Sequence, residues 1–355
     1  MYITVLCKVV DNFGDIGTAW RLCRRLSKIQ SQYKLCLVVD DMNAFNIIAH
    51  GNSVIASSEA SPVIASAASP VIASEARQST TIEGIEVFQW QNNDFCHKIF
   101  SENDGERLGI ILELFQCGRP DWMEKILFEE KLQRTVQIIM IDYLTAEKYA
   151  DDFHCLQSLT RSSKVKKVNF MPGFTEHTGG LVIDDEWEQL PPYNKDGSVL
   201  EFTYKTKCAY LDNQKLPYMP QTEWDKMMKQ CSVLFVRGEE SMSRACLSGI
   251  PFVWQAYPQS EEYQLVKVRA LLERMRPHFA PEDFELVEKA WMEINTLHAS
   301  SLRGAKEIRD EAIYDVFLKN APRLVPSFQS FALSLRKNGD LCTNLMTFIQ
   351  KIAIM

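Results

Sequence analysis

Two rhythms of apolar and polar positions alternate along the first half of the chain. Short unbroken apolar runs at Tyr2–Val10, Leu35–Asp40, Ile85–Trp90, Gly109–Phe115, Gln137–Leu144 and Val165–Phe170 have the length of strands buried on both faces. Between the first two, Thr18–Ile29 sets Trp20, Leu22, Cys23, Leu26 and Ile29 on one side, the period of an amphipathic helix. Strands alternating with helices predict a parallel sheet covered by helices. The second half holds another such unit: Ser232–Val236 as a buried strand, Arg237-Gly238-Glu239-Glu240-Ser241 as the turn, and a short helix from Glu240 to Ser248. Gly249 is its expected C-cap, Pro251 its stop, and Phe252–Gln255 the next strand. From Glu261 onward the pattern is helical, with no further sheet predicted.

Residues 51–80 break the rhythm. Val-Ile-Ala-Ser recurs at 54–57, 63–66 and 71–74, a spacing too short for a solenoid, so this segment reads as an inserted surface loop without catalytic parts.

The most informative segment is Asp11-Asn12-Phe13-Gly14-Asp15-Ile16-Gly17, which joins the first strand to the first helix. Ligands of open α/β sheets bind at such turns, beyond the carboxyl ends of the strands. An acidic loop repels phosphate and suits a cationic or hydroxylic acceptor. The same residues also suit an Asx-type turn in which Asp15 caps the helix. Arg237, beside Gly238 and Ser241 at a helix start, is suited to a diphosphate, with Glu239 and Glu240 as acceptors for sugar hydroxyls. It equally suits a plain N-terminal capping cluster. The glycine-rich stretch Met171–Leu181 is a connection between domains or a loop lining a site. In Leu216-Pro217-Tyr218-Met219-Pro220-Gln221, Tyr218 is placed to stack on a base and Gln221 to read its edge, or the stretch is a proline-bounded entry to the helix around Trp224.

Composition narrows the classes. A chain of 355 residues accommodates two domains, and 46% hydrophobic with 24% charged residues is ordinary for a globular protein. A net charge of −7 argues against a nucleic-acid binder. No run reaches the ~20 apolar residues of a membrane span, and Met1-Tyr2-Ile3-Thr4 shows no secretory signal. The ten cysteines form no Cys-x-x-Cys pair, and neither they nor the six histidines show metal-ligand spacing, so a cytoplasmic protein without a structural metal is expected. Dinucleotide, Walker, nucleophile-elbow and His-Glu-x-x-His motifs are absent.

Taken together, these segments resemble the protein-arginine rhamnosyltransferases that modify bacterial elongation factor P, the EarP family. The resemblance is carried by Asp11–Gly17 with Trp20-Arg21-Leu22, Pro172-Gly173-Phe174-Thr175 with Thr178-Gly179-Gly180-Leu181, Leu216–Gln221, Phe235–Ser241, and Pro251–Gln255 with Tyr257-Pro258-Gln259. They run in family order over nearly the whole chain. The resemblance implies an α/β, GT-B-like architecture, two Rossmann-like domains facing across a cleft. The N-terminal domain would span 1–185, completed by a C-terminal helix at 330–355, and the donor domain 186–329. It implies an inverting transfer of L-rhamnose from dTDP-β-L-rhamnose to an arginine of elongation factor P, with no cofactor. Asp15 matches the family's catalytic aspartate and Asp11 its essential neighbour. Asn12, Phe13, Gly14, Phe202, Tyr204, Tyr218, Gln221, Arg237, Glu239, Glu240 and Ser241 match donor-binding positions. The chain departs from the family in carrying Tyr218 for Phe, Glu240 for Asp, the insertion at 51–80, and a shortened stretch between Phe202 and Leu216.

The chemistry is consistent with those residues. A guanidinium is always charged and its lone pair is delocalised, so it needs orientation and a proton acceptor as the C–N bond forms. Two aspartates about one helical turn apart divide these tasks. The alternatives are a GT-B enzyme with another sugar or acceptor, an epimerase of that fold, and a catalytically degenerate protein that still binds elongation factor P.

Overall fold

The computed structural model describes residues 1–10, 13–29, 32–50, 79–130, 132–190, 198–203, 208–211, 214–216, 219–301 and 311–354. Residues 51–78 of the expected 51–80 loop, and with them Asp11, Asn12, Tyr204 and Tyr218, lie outside the described residues, whereas Ser79 and Thr80 are not loop but pair in a strand with Phe88 and Val87.

Each predicted strand of the first half is present and ends earlier than its apolar run: β1 Tyr2–Cys7, β2 Lys34–Val39, β4 Ile85–Gln89, β5 Ile110–Leu114, β6 Val136–Ile141 and β8 Val165–Asn169. They pair in parallel in the order β4-β2-β1-β5-β6-β8, and two short antiparallel strands, β3 Ser79–Ile82 and β7 Gln157–Ser158, close the edges. Period-two alternation splits β1 between two cores. Ile3, Val5 and Cys7 pack with Trp20, Cys23 and Leu26 of helix α1 (Gly14–Ile29), whereas Tyr2 and Leu6 pack with Phe100 and Trp122 on the other face. That two-sided burial is why the strands read as unbroken apolar runs.

The second sheet is smaller, ordered β11-β10-β9-β12-β13. Its parallel part is β9 (Val199–Thr203), β12 (Val233–Val236) and β13 (Phe252–Trp254). β10 (Cys208–Leu211) and β11 (Gln214–Lys215) return antiparallel. A parallel return needs a crossover of about a dozen residues or more. Four residues separate β9 from β10, too few for such a crossover, and the two strands pair antiparallel.

Helices α8 (Glu239–Ser248), α9 (Tyr263–Met275), α10 (Pro281–Ser301) and α11 (Glu311–Lys337) cover the second sheet, with Met242, Val268, Trp291 and Phe328 in one core. Gly249 terminates α8 at φ +70°, a left-handed conformation in which a glycine avoids the Cβ clash. α11 stays on this core as far as Leu335, and then α12 (Leu341–Ile354) crosses to the first core through Leu341, Leu345 and Ile349. The crossing is fastened where Leu341 N–H donates to the Leu181 carbonyl at 2.8 Å. The Met171–Leu181 stretch is thus part of the connection, and its Pro172 and Leu181 also line a cavity between the two halves. Among the described residues, no helix is long and apolar enough to cross a membrane.

Candidate active site

β1 lies between β2 and β5, with β6 beyond, so the loops leaving β1, β5 and β6 share one rim of the first sheet. α1 begins at Gly14, four residues before the sequence pattern suggested, which places Asp15 in its first turn, favourable for the helix dipole. Asp15 is 3% exposed, and its Oδ2 accepts from Val10 N–H at 2.8 Å. It ties the preceding loop to the helix start. On the same rim, Phe115 and Tyr143 stack with centroids 4.6 Å apart, and Asp142 accepts from Gln116 Nε2 at 2.7 Å. Phe115 and Asp142 line a cavity of about 50 Å³ together with Thr18, Arg21, Glu239 and Glu240. Residues from both sheets thus meet at one small space.

From the other side, β12 leads through Arg237 and Gly238 into α8. Arg237 is buried, its guanidinium 4.3 Å from the centre of the Tyr257 ring, and its carbonyl accepts from Trp254 Nε1 at 2.7 Å. Gly238 is the extended N-cap, and its carbonyl takes the first helical bond, from Met242 N–H at 2.9 Å. The N–H groups of Glu239, Glu240 and Ser241 therefore have no acceptor within the helix. Glu239 pairs with Lys267 at 3.6 Å. Gln221, first residue of helix α7 (Gln221–Gln230), donates to the Gly17 carbonyl at 2.8 Å and stands 3.5 Å from Glu240 Oε1. Pro220 is the N-cap of α7, as the proline-bounded entry reading expected. A Cβ at Gly17 would sit 3.6 Å from Gln221 Nε2, an ordinary contact, so the approach leaves room for a methyl and for little more.

The seam between the sheets is a buried charge network. Arg21, 4% exposed on α1, donates through Nη1 and Nη2 to both oxygens of Asp225 at 2.7 and 2.9 Å. Nη1 also donates to Asp184 Oδ2 at 3.0 Å, Nε donates to Glu240 Oε1 at 2.7 Å, and Nη2 stands 2.6 Å from that same oxygen. Arg244, 1% exposed on α8, pairs with Asp184 at 3.2 Å and donates to the Val182 carbonyl. Burial disfavours the charge on Arg21, but Glu240 and Asp225 outweigh it and raise its pKa. Burial also opposes ionisation of Asp184, yet Arg244 and Arg21 hold its carboxyl below the ordinary value.

Of the residues singled out from sequence, Asp15 lies in the first turn of α1, the helix that also carries Arg21, and it bonds back to Val10. Gln221 and Glu240 meet at the seam, Glu239 and Glu240 line the cavity, and Arg237 precedes α8. Phe13 packs at the edge of the first core, and Gly14 opens α1. Phe202 lies in β9, one residue beyond the Glu201–Phe235 pair, on the strand beside that leading to Arg237. Arg21, Asp184, Asp225 and Arg244 were not picked out as site residues. The available signal was a basic stripe at helical spacing, Arg21, Arg24, Arg25 and Lys28, and an acidic run at Asp184-Asp185-Glu186.

The family described as Elongation-Factor P (EF-P) rhamnosyltransferase EarP matches residues 3–192 and 192–350. The chain belongs to that family. As a member it is a glycosyltransferase, a protein-arginine rhamnosyltransferase. It is similar to the protein-arginine rhamnosyltransferase of Shewanella oneidensis, 24% identical over 422 residues covering 98% of this chain and 97% of the relative. It is also similar to that of Pseudomonas aeruginosa, 26% identical over 368 residues covering 85% and 89%. A solved structure concerning EarP-mediated arginine glycosylation of translation elongation factor EF-P is 16% identical over 99% of each chain, with a TM-score of 0.42. The Shewanella alignment is longer than this 355-residue chain, so that relative carries internal residues which this chain lacks.

Proposed function

We propose that this chain transfers L-rhamnose from dTDP-β-L-rhamnose to an arginine side chain of elongation factor P in the cytoplasm, with inversion and without a metal. The observation that carries the reading is the meeting of two strand-to-helix turns: Asp15 opens α1, and Glu239, Glu240 and Ser241 open α8, with Gln221 bonded to Gly17 between them. Asp15 binds the acceptor guanidinium and takes its proton as the nitrogen attacks the anomeric carbon, with Asp11 as its neighbour in holding the cation. The C–O bond to dTDP breaks as the C–N bond forms. The first N–H groups of α8 and Arg237 stabilise the departing diphosphate, a role that needs no metal. Tyr218, Gln221, Phe202 and Tyr204 hold the thymidine, and a single displacement turns the β-linked donor into an α-linked product.

Intact-mass measurement of elongation factor P after incubation with this protein and dTDP-β-L-rhamnose tests the reading. The expected result is one added deoxyhexosyl unit, localised to an arginine by fragmentation. An unchanged mass, with elongation factor P still bound but dTDP not, would point instead to a degenerate binding protein.

A further inference from the structure

The role of Arg21 goes beyond the reaction scheme. Buried ion networks are seldom more stable than well-packed apolar side chains of the same volume, because desolvation offsets most of the attraction. Stability alone therefore gives little reason to place two guanidiniums and three carboxylates at one seam. Their geometry is more specific than stability requires. Glu240 Oε1 is approached by Arg21 Nε at 2.7 Å, Arg21 Nη2 at 2.6 Å, Gln221 Nε2 at 3.5 Å and Arg244 Nε at 4.0 Å. Arg21 is itself held by both oxygens of Asp225 and one of Asp184. Glu240 remains at the cavity wall, and Arg21 lies on the helix whose first turn carries Asp15.

We propose that Arg21 is a positioning residue for the transfer, fixing the Glu240 carboxylate of the donor side against the helix that carries Asp15. A planar guanidinium spans two carboxylates with defined angles, whereas an ammonium serves them only as a point charge. The inference rests on the reading of Glu240 as a donor contact. Asp225 belongs to the support of Arg21.

The test compares Arg21→Lys, Glu240→Gln, their double variant and Asp225→Asn, each checked for cooperative melting. dTDP affinity is read by calorimetry, and KM is read for donor and protein acceptor separately. Arg21→Lys and Glu240→Gln are each expected to weaken dTDP binding about tenfold and raise donor KM to match, with acceptor KM unchanged. The double variant should lose little more than the worse single, because both changes break one interaction. Asp225→Asn, which loosens the hold on Arg21 but leaves the Arg21–Glu240 pair in place, should lower the melting temperature and weaken dTDP binding less than Arg21→Lys does. A purely structural Arg21 would lower the active fraction and leave both KM values alone. Unchanged dTDP affinity in Arg21→Lys, or multiplicative losses in the double variant, overturn the inference while leaving the proposed reaction standing. Absence of dTDP binding by the unmutated protein overturns both.

Discussion

Asp15 is a buried carboxylate with a structural duty, accepting a hydrogen bond from Val10 N–H, as well as the proposed chemical one. An amide oxygen can still accept from that N–H but cannot take a proton from a guanidinium. Asp15→Asn is therefore expected to melt close to the unmutated protein and to lose essentially all transfer under single-turnover conditions. Turnover above a few per cent would assign the base elsewhere. Asp184 makes a different kind of prediction. Its carboxyl is held below the ordinary value, against burial, by Arg244 and Arg21. Its stabilisation is thus fully present above the unfolded-state pKa of about 3.9 and is lost as pH falls through the lower folded-state value. Asp184→Asn should be less stable at neutral pH, and the difference in melting temperature should shrink as the pH is lowered below about 4. A difference that persists unchanged in acid would mean that the side chain acts through packing and not through charge.

The elements that were legible in the sequence are those whose signals are local. The strands of the first sheet beside α1 show as unbroken apolar runs because both faces are buried, and α8 shows through Gly249 and Pro251. Strands β3, β7 and β11 lie at sheet edges and β10 one place in, and all four are two to four residues long, too short to carry a period. β9, five residues long and inside its sheet, is hidden in the sequence for a different reason: Glu201 interrupts the apolar run of Val199, Leu200 and Phe202. The seam was illegible because Arg21 finds its partners 163 to 219 residues away. Only the complementary charge of two helices hinted at it. The basic stripe of α1 meets the acidic helix α6 (Asp185–Gln189) through Arg24 to Glu186 at 2.9 Å and Arg25 to Asp185 at 2.8 Å. Gly17 sits on the same face, and the space above it sets how closely α1 and α7 approach. Gly17→Ala should be tolerated, since the new Cβ would make ordinary contact with Gln221 at 3.6 Å. Gly17→Leu should push Gln221 and Glu240 away and reduce transfer more than tenfold while the isolated cores stay folded, as read by activity beside far-UV dichroism. Equal activity in the two variants would show that this close approach does not matter for function.

The two sheets are joined by more than the seam, because Ala146, Phe174 and Leu181 of the first half pack into the second core and α12 returns to the first. In the proposed reaction one of the two strand-to-helix turns binds the acceptor and the other the donor. If that division of labour is right, dTDP affinity belongs to the second half of the chain. Arg237→Ala should weaken dTDP binding by about 1.5–3 kcal/mol, roughly ten- to a hundred-fold, the range for a charge-assisted hydrogen bond. Some of that loss passes through Tyr257, whose ring rests against the guanidinium, so Arg237→Lys should recover part of the affinity by restoring the charge. Tyr218→Ala should cost a similar or smaller amount, whereas Tyr218→Phe should be nearly silent because stacking needs no hydroxyl. Asp15→Asn should leave dTDP affinity unchanged, since that carboxylate serves the acceptor. Calorimetry on the five variants reads this directly, and an equal loss of affinity in Asp15→Asn and Arg237→Ala would mean that both turns grip the donor and the acceptor must enter from elsewhere.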